Sequence, residues 1–131
     1  MPGLYVDTSA LGRVALGEAD APAVRASLSK FDPWYASELL LVELGRLGRR
    51  AGIESTAERI LALVTLVPLS RGGLERAVQV DPTEVRSLDA IHLATAIDLH
   101  ASGEIAAVLT YDGQLQAGCR HHGILVEAPT A

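Results

Sequence analysis

The strongest constraint on the fold is a rhythm: short apolar runs, each too brief for a helix, alternate with stretches long enough to be one. The runs lie at residues 4–6, 66–69, 106–110 and 124–126, and a further short strand at 34–36 follows Pro33. Asp20 followed by Pro22 signals a helix start leading into residues 24–31, and Ser37 is positioned to cap a helix that runs to about residue 51 and stops at Gly52. Ser55 and Glu58 have the spacing of a capping box ahead of residues 60–64. Pro82 interrupts the chain before a helix over residues 87–101, which Gly103 closes. Helices interleaved with short buried strands require crossover connections, so the pattern predicts a three-layer α/β/α domain around a mainly parallel sheet.

The chain has 131 residues, enough for one domain spanning residues 1–131 with an adequate core and no need of a disulfide or metal to fold. Its 49% hydrophobic and 21% charged residues exclude intrinsic disorder. One cysteine, Cys119, excludes an internal disulfide framework and any CxxC motif, which fits a reducing compartment. A net charge of -5 argues against a broadly basic nucleic-acid coat. The cations are almost all arginine, Lys30 being the single lysine, so they favour forked contacts to phosphate or carboxylate. The sequence carries no signal-peptide pattern and no membrane span, and the expected location is the cytoplasm.

Four acids stand where an ionised carboxylate is costly to bury without a partner. Asp7 follows the apolar Leu4-Tyr5-Val6, at the carboxyl end of the first strand, which is the ligand-binding edge of open parallel sheets. Glu43 interrupts Leu39-Leu40-Leu41-Val42-Glu43-Leu44, a helix turn apolar almost all round. Asp89 opens a helix in which Ala90, Leu93, Ala94, Ile97 and Ala101 form a stripe that Leu88, Ile91 and Leu99 widen into an apolar surface. Asp112 follows Ala107-Val108-Leu109-Thr110-Tyr111 and shares the edge with Asp7 if the two strands are parallel. Each acid alone is compatible with an N-cap, a turn or half of an ion pair. Together they account for most of the charge imbalance: setting the four aside reduces the excess of acids from five to one. Carboxylates gathered at one edge repel each other unless a divalent cation sits among them, and an all-oxygen set suits the hard ions Mg²⁺ and Mn²⁺.

Tyr5-Val6-Asp7-Thr8-Ser9-Ala10-Leu11, Ser37-Glu38-Leu39-Leu40-Leu41-Val42-Glu43-Leu44, Ser87-Leu88-Asp89-Ala90-Ile91-His92-Leu93-Ala94-Thr95-Ala96 and Leu109-Thr110-Tyr111-Asp112 resemble, in that order, the motifs of PIN-domain ribonucleases of the VapC toxin type. The likeness spans nearly the whole chain. It implies a metal-dependent endoribonuclease from a toxin–antitoxin pair, with Asp7, Glu43, Asp89 and Asp112 matching the acidic quartet and Thr8 and Ser9 matching the small hydroxyl positions beside the first acid. It further implies an RNA substrate, a cognate antitoxin that wraps the toxin, and a homodimer formed through the apolar early helices. Gly113-Gln114 after Asp112 is less charged than the family pattern, which leaves the fourth acid's role the least defined.

On this reading Mg²⁺ or Mn²⁺ held by Asp7, Asp89 and Asp112 activates water against a phosphodiester, with Glu43 as a further ligand or water-positioning group. Arg46 and Arg50 fall on the helix face of Glu43 and are candidates for substrate contact, against the plainer expectation of a local Glu43–Arg46 pair. Arg13 and Arg86 are weaker candidates. His92 reads as a hydrogen-bonded structural histidine, and His121 and His122 beside Cys119 lack a second ligand pair for a metal. Haloacid-dehalogenase-type phosphatases and receiver domains also place an aspartate after the first strand. Both normally need a late-strand lysine, whereas Lys30 lies early, and the phosphatases have a second aspartate where this chain has Ser9. The non-enzymatic alternative is a PIN-like module that binds RNA or protein without cutting.

Overall fold

The computed structural model describes all residues, Met1 to Ala131. The elements in chain order are β1 (Gly3–Val6), α1 (Thr8–Leu16), α2 (Ala21–Leu28), β2 (Trp34–Ser37), α3 (Leu39–Ala51), α4 (Glu54–Leu61), β3 (Val64–Val67), α5 (Arg71–Gln79), α6 (Ser87–Ala101), β4 (Ile105–Leu109), α7 (Gly113–His121) and β5 (Leu125–Glu127). The five strands are all parallel in the order β3-β2-β1-β4-β5. With right-handed crossovers, α1 to α4 cover one face of the sheet and α5 to α7 the other, giving the expected three layers.

The core follows from the strand sequences. Leu4, Tyr5, Val6, Val108 and Leu109 are fully buried because both faces of the two central strands are covered. Leu40 and Leu44 of α3, Leu11 of α1, and Leu93 and Ala96 of α6 pack onto them. No helix is long and apolar enough to cross a membrane.

The order of strands reverses between β1 and β4, since the chain leaves β1 toward β2 on one side and returns to β4 on the other. Such a switch point opens a crevice at the carboxyl ends of the strands. Val6 pairs with Leu109, so the next residues, Asp7 and Thr110, emerge side by side at the mouth of that crevice.

Several local expectations shift. The third strand is Val64–Val67 rather than 66–69, because Pro68 has no N–H for a ladder and Val67 O already accepts from Glu38 N. The second helix is Ala21–Leu28, and Phe31 lies beyond it. Ser55 and Glu58 do not form a capping box: α4 begins earlier, from an Ile53 N-cap without a side-chain cap, directly after the left-handed Gly52. Gly48 permits this tight α3–α4 turn, since a Cβ there would stand 2.7 Å from that of Ala57. The sequence pattern draws no bounds for α1 or α7 and omits α5, whose first turn contains Gly72 and Gly73. Each glycine costs a helix about 1 kcal/mol relative to alanine. A Ser70 cap on Gly73 N and the packing of Ala77 against Ala90 and Ala94 offset that cost. Finally, Leu88, Leu41 and Val42 are exposed, so the apolar surfaces around Asp89 and Glu43 are narrower than the sequence suggested.

Candidate active site at the carboxyl edge of the sheet

Asp7 is the most enclosed of the four acids, at 5% exposure. It is the N-cap of α1, accepting from Ala10 N. Its Oδ1 accepts from the Ser9 hydroxyl at 2.7 Å and its Oδ2 from the Thr110 hydroxyl at 2.8 Å. Each of those hydroxyls in turn accepts a backbone N–H from the segment after β4: Tyr111 N donates to Ser9 Oγ at 2.8 Å and Asp112 N to Thr110 Oγ1 at 3.0 Å. Two short side chains thus pin the first acid and the turn bearing the fourth to one another. Burial pushes the Asp7 carboxyl above its usual range, while the hydrogen bonds from Ser9 and Thr110 pull it back.

Asp112 caps α7 through Oδ1, which accepts from Gln114 N and Leu115 N at 2.9 Å each. The uncharged Gln114 has a task of its own, accepting from Arg86 N at 3.0 Å and so tying the start of α6 to that of α7. Asp89, half-buried in the first turn of α6, receives no hydrogen bond. Its pKa is raised, first by partial desolvation and then by the charges of Asp112, Asp7 and Glu43, with His92 opposing.

Glu43 reaches across from the other helical layer. Its Oε1 meets His92 Nε2 at 2.8 Å and lies 3.5 Å from the Thr8 hydroxyl. The expected Glu43–Arg46 pair is therefore replaced by a contact to α6, and Arg46 and Arg50 are exposed on α3 with no carboxylate partner. His92 is almost wholly buried and hydrogen-bonded, as the sequence suggested, with its Nδ1 2.6 Å from the Tyr5 hydroxyl. Arg13 is held by Asp20 at 2.9 Å and lies over the Tyr111 ring, 3.8 Å from its centroid.

The side chains as they stand do not close into a finished ion cage. The donor chemistry nevertheless suits a hard divalent ion. None of the four acids has an arginine or lysine partner, Asp89 is free at both oxygens, and Asp112 Oδ2 and Glu43 Oε2 receive no hydrogen bond. His122 lies apart from the acids, its Nε2–H donating to the Asp81 carbonyl oxygen at 2.6 Å. Burial pushes the Cys119 thiol up to about 12, leaving it inert.

Thr110 and Tyr5 are the site residues that sequence reasoning did not single out. Thr110 left a signal, a hydroxyl two residues before an acid at a strand end. Tyr5 left none, because a tyrosine inside a strand reads as core.

A PIN-domain family model matches residues 4–120. The chain is 34% identical over 135 residues to Ribonuclease VapC47 of Mycobacterium tuberculosis, covering 98% of each protein. It is 32% identical to Ribonuclease VapC46 of the same species, covering 99% of this chain and 100% of the relative. A chain of a toxin–antitoxin complex from Klebsiella pneumoniae shares the fold with a TM-score of 0.75 at 22% identity, covering 96% of this chain and 97% of that one. The structure of Mycobacterium tuberculosis VapC20, a Sarcin-Ricin loop cleaving toxin, has a TM-score of 0.71 at 23% identity over 96% of this chain and 99% of that chain.

Proposed function

The chain belongs to the PIN-domain family, in its VapC-type branch, and from that premise we propose that it is a divalent-metal-dependent endoribonuclease, the toxin of a toxin–antitoxin pair. One observation supports the metal-dependent part of this reading: Asp7, Glu43 and Asp112, from three other segments, lie near enough to Asp89 for their charges to raise its pKa, and none of the four has an arginine or lysine to neutralise it. The names of the relatives, all ribonucleases, support RNA as the substrate.

Asp7, Asp89 and Asp112 would hold Mg²⁺ or Mn²⁺, with Glu43 as a fourth oxygen donor. The ion, when bound, supplies Lewis-acid polarisation of the scissile phosphate and a lowered pKa for water. Ser9 and Thr110 keep the Asp7 carboxylate in a single orientation, so its geometry is set before substrate arrives. Thr8, half-buried at the start of α1, and Arg46 and Arg50 along α3 would contact the RNA backbone beside the crevice. The reaction needs no side-chain nucleophile.

Purified protein should cut unpaired RNA in Mg²⁺ or Mn²⁺ buffer, and both EDTA and Asp7→Ala should abolish cutting. Cleavage that survives both together sinks the carboxylate mechanism. RNA binding without cleavage across a broad panel of RNAs, with expression harmless to cells, would instead support a non-catalytic binding module. In the toxin reading the partner is an antitoxin and the work is done in the cytoplasm. The exposed Leu41 and Val42 of α3 suit a homodimer contact, so Val42→Asp should shift the protein to monomer in sedimentation.

A further inference from the structure

Behind the acidic crevice runs a buried side-chain chain that the proposed chemistry does not itself require. The Tyr5 hydroxyl accepts from Ser37 N at 3.0 Å and meets His92 Nδ1 at 2.6 Å, and His92 Nε2 meets Glu43 Oε1 at 2.8 Å. Ser37 closes β2, Tyr5 lies in central β1, His92 in α6 and Glu43 in α3, so the chain links the sheet to both helical layers.

Counting protons gives it a direction. Tyr5 Oη already accepts from Ser37, so the phenol's one proton is directed at His92 Nδ1, and the phenol is fully buried with its pKa well above the ordinary value. Nδ1 is then the acceptor, the ring proton sits on Nε2, and Nε2–H donates to Glu43. The opposite tautomer would put two protons between Tyr5 and His92 and leave Glu43 facing a lone pair. This arrangement satisfies each buried group, and it ends on a single oxygen of Glu43.

Glu43 needs such support. Its side chain is 28% exposed, its sequence neighbours Leu41 and Val42 face solvent, and no arginine holds it. A glutamate so placed would otherwise sample several rotamers and would have to give up that freedom on binding a cation.

We propose that His92 and Tyr5 are positioning residues for Glu43: the Ser37–Tyr5–His92 chain fixes the Glu43 carboxylate by Oε1 and leaves Oε2 for the cation. This rests on the metal-site reading above. Hydrogen-bond partners of this kind typically change metal affinity by about 10–100-fold.

The test is Mn²⁺ affinity of the full chain, measured by electron paramagnetic resonance titration, with folding checked by circular dichroism. His92→Leu should weaken Mn²⁺ binding at least tenfold, Tyr5→Phe should weaken it in the same direction, and His92→Gln, which keeps a donor near the Nε2 position, should recover most of the loss. A wild-type protein that binds no Mn²⁺ refutes the metal site itself. If the wild type binds, three results overturn the positioning role: Glu43→Gln binding as tightly as wild type, folded His92→Leu doing so, or His92→Leu and His92→Gln losing affinity equally. Should His92→Leu not fold, folded Tyr5→Phe decides, with wild-type affinity counting against the proposal.

Discussion

Thr110→Val is the substitution that tests the Asp7 cradle most directly. Valine nearly matches threonine in shape, and the site is fully buried, so packing changes little while the hydroxyl's 3.3 Å contact to Ser9 Oγ and two stronger hydrogen bonds disappear. One is the charge-assisted bond to Asp7 Oδ2 at 2.8 Å, of a kind that contributes about 1.5–3 kcal/mol. The other is the acceptor for Asp112 N, whose loss costs about 1–3 kcal/mol if the N–H stays dry. The extra methyl returns roughly 0.8 kcal/mol of apolar burial, leaving a net loss of about 2–5 kcal/mol. Urea denaturation of the metal-free protein at pH 7.5 measures this. The pH dependence is diagnostic because the Thr110 bond favours ionised Asp7, whose pKa is already raised by burial. Removing it raises that pKa further, so the variant's deficit should be largest well above the raised pKa and should shrink as pH falls through it. A variant as stable as wild type at pH 7.5, or a deficit that stays constant as Asp7 takes up its proton, would refute the reasoning.

Asp89 is raised by partial burial and by its acidic neighbours, so its ionised form opposes folding: stability of the metal-free protein should rise as pH drops from neutrality through the raised value toward the ordinary carboxylate range. Asp89→Asn should accordingly raise the metal-free Tm and lessen the Tm gain given by Mn²⁺, and a lower Tm with an undiminished Mn²⁺ gain would count against the crowding argument. Gly118→Ala would bring a Cβ within 2.6 Å of Leu93 Cδ2 and should cost about 1–3 kcal/mol in thermal or urea unfolding, with a neutral or stabilising effect contradicting the packing described. Cys119, buried and with its thiol pushed up to about 12, should resist iodoacetamide at pH 8 in the native protein and react fully in 6 M guanidinium, and rapid native labelling would contradict its burial.

The sheet was legible because its central strands are buried on both faces and therefore read as plain apolar runs; Leu4-Tyr5-Val6 and Ala107-Val108-Leu109 could be little else. The helix over Ser87–Ala101 was legible for the same reason, being packed between the sheet and two other helices. What failed were elements whose local signal and tertiary fate differ. Gly72 and Gly73 look like breakers, yet α5 forms because Ser70 caps it and α6 receives its apolar side. Ser55 and Glu58 look like a cap, yet they lie inside a helix whose start is imposed by the turn at Gly52 and the close approach of Gly48 to Ala57.

The acids were visible because burying a carboxylate is expensive, and an expensive residue in an apolar run attracts notice. Their supports were not, because a hydroxyl or an imidazole in the interior is an ordinary sight until its partners are known. Ser9 and Thr110 are 101 residues apart, and Tyr5 and His92 are 87 apart, so neither pair leaves a local spacing to read. The consequence is physical. A sequence announces where charge is concentrated, whereas the orientation of that charge depends on long-range hydrogen bonds that only the closed sheet creates. In this chain the parallel register of β1 with β4 sets Asp7 beside Thr110, and the same closure brings Tyr5 under His92 and His92 against Glu43. The arrangement of the four acids is therefore a property of the folded switch point rather than of the motifs that mark it.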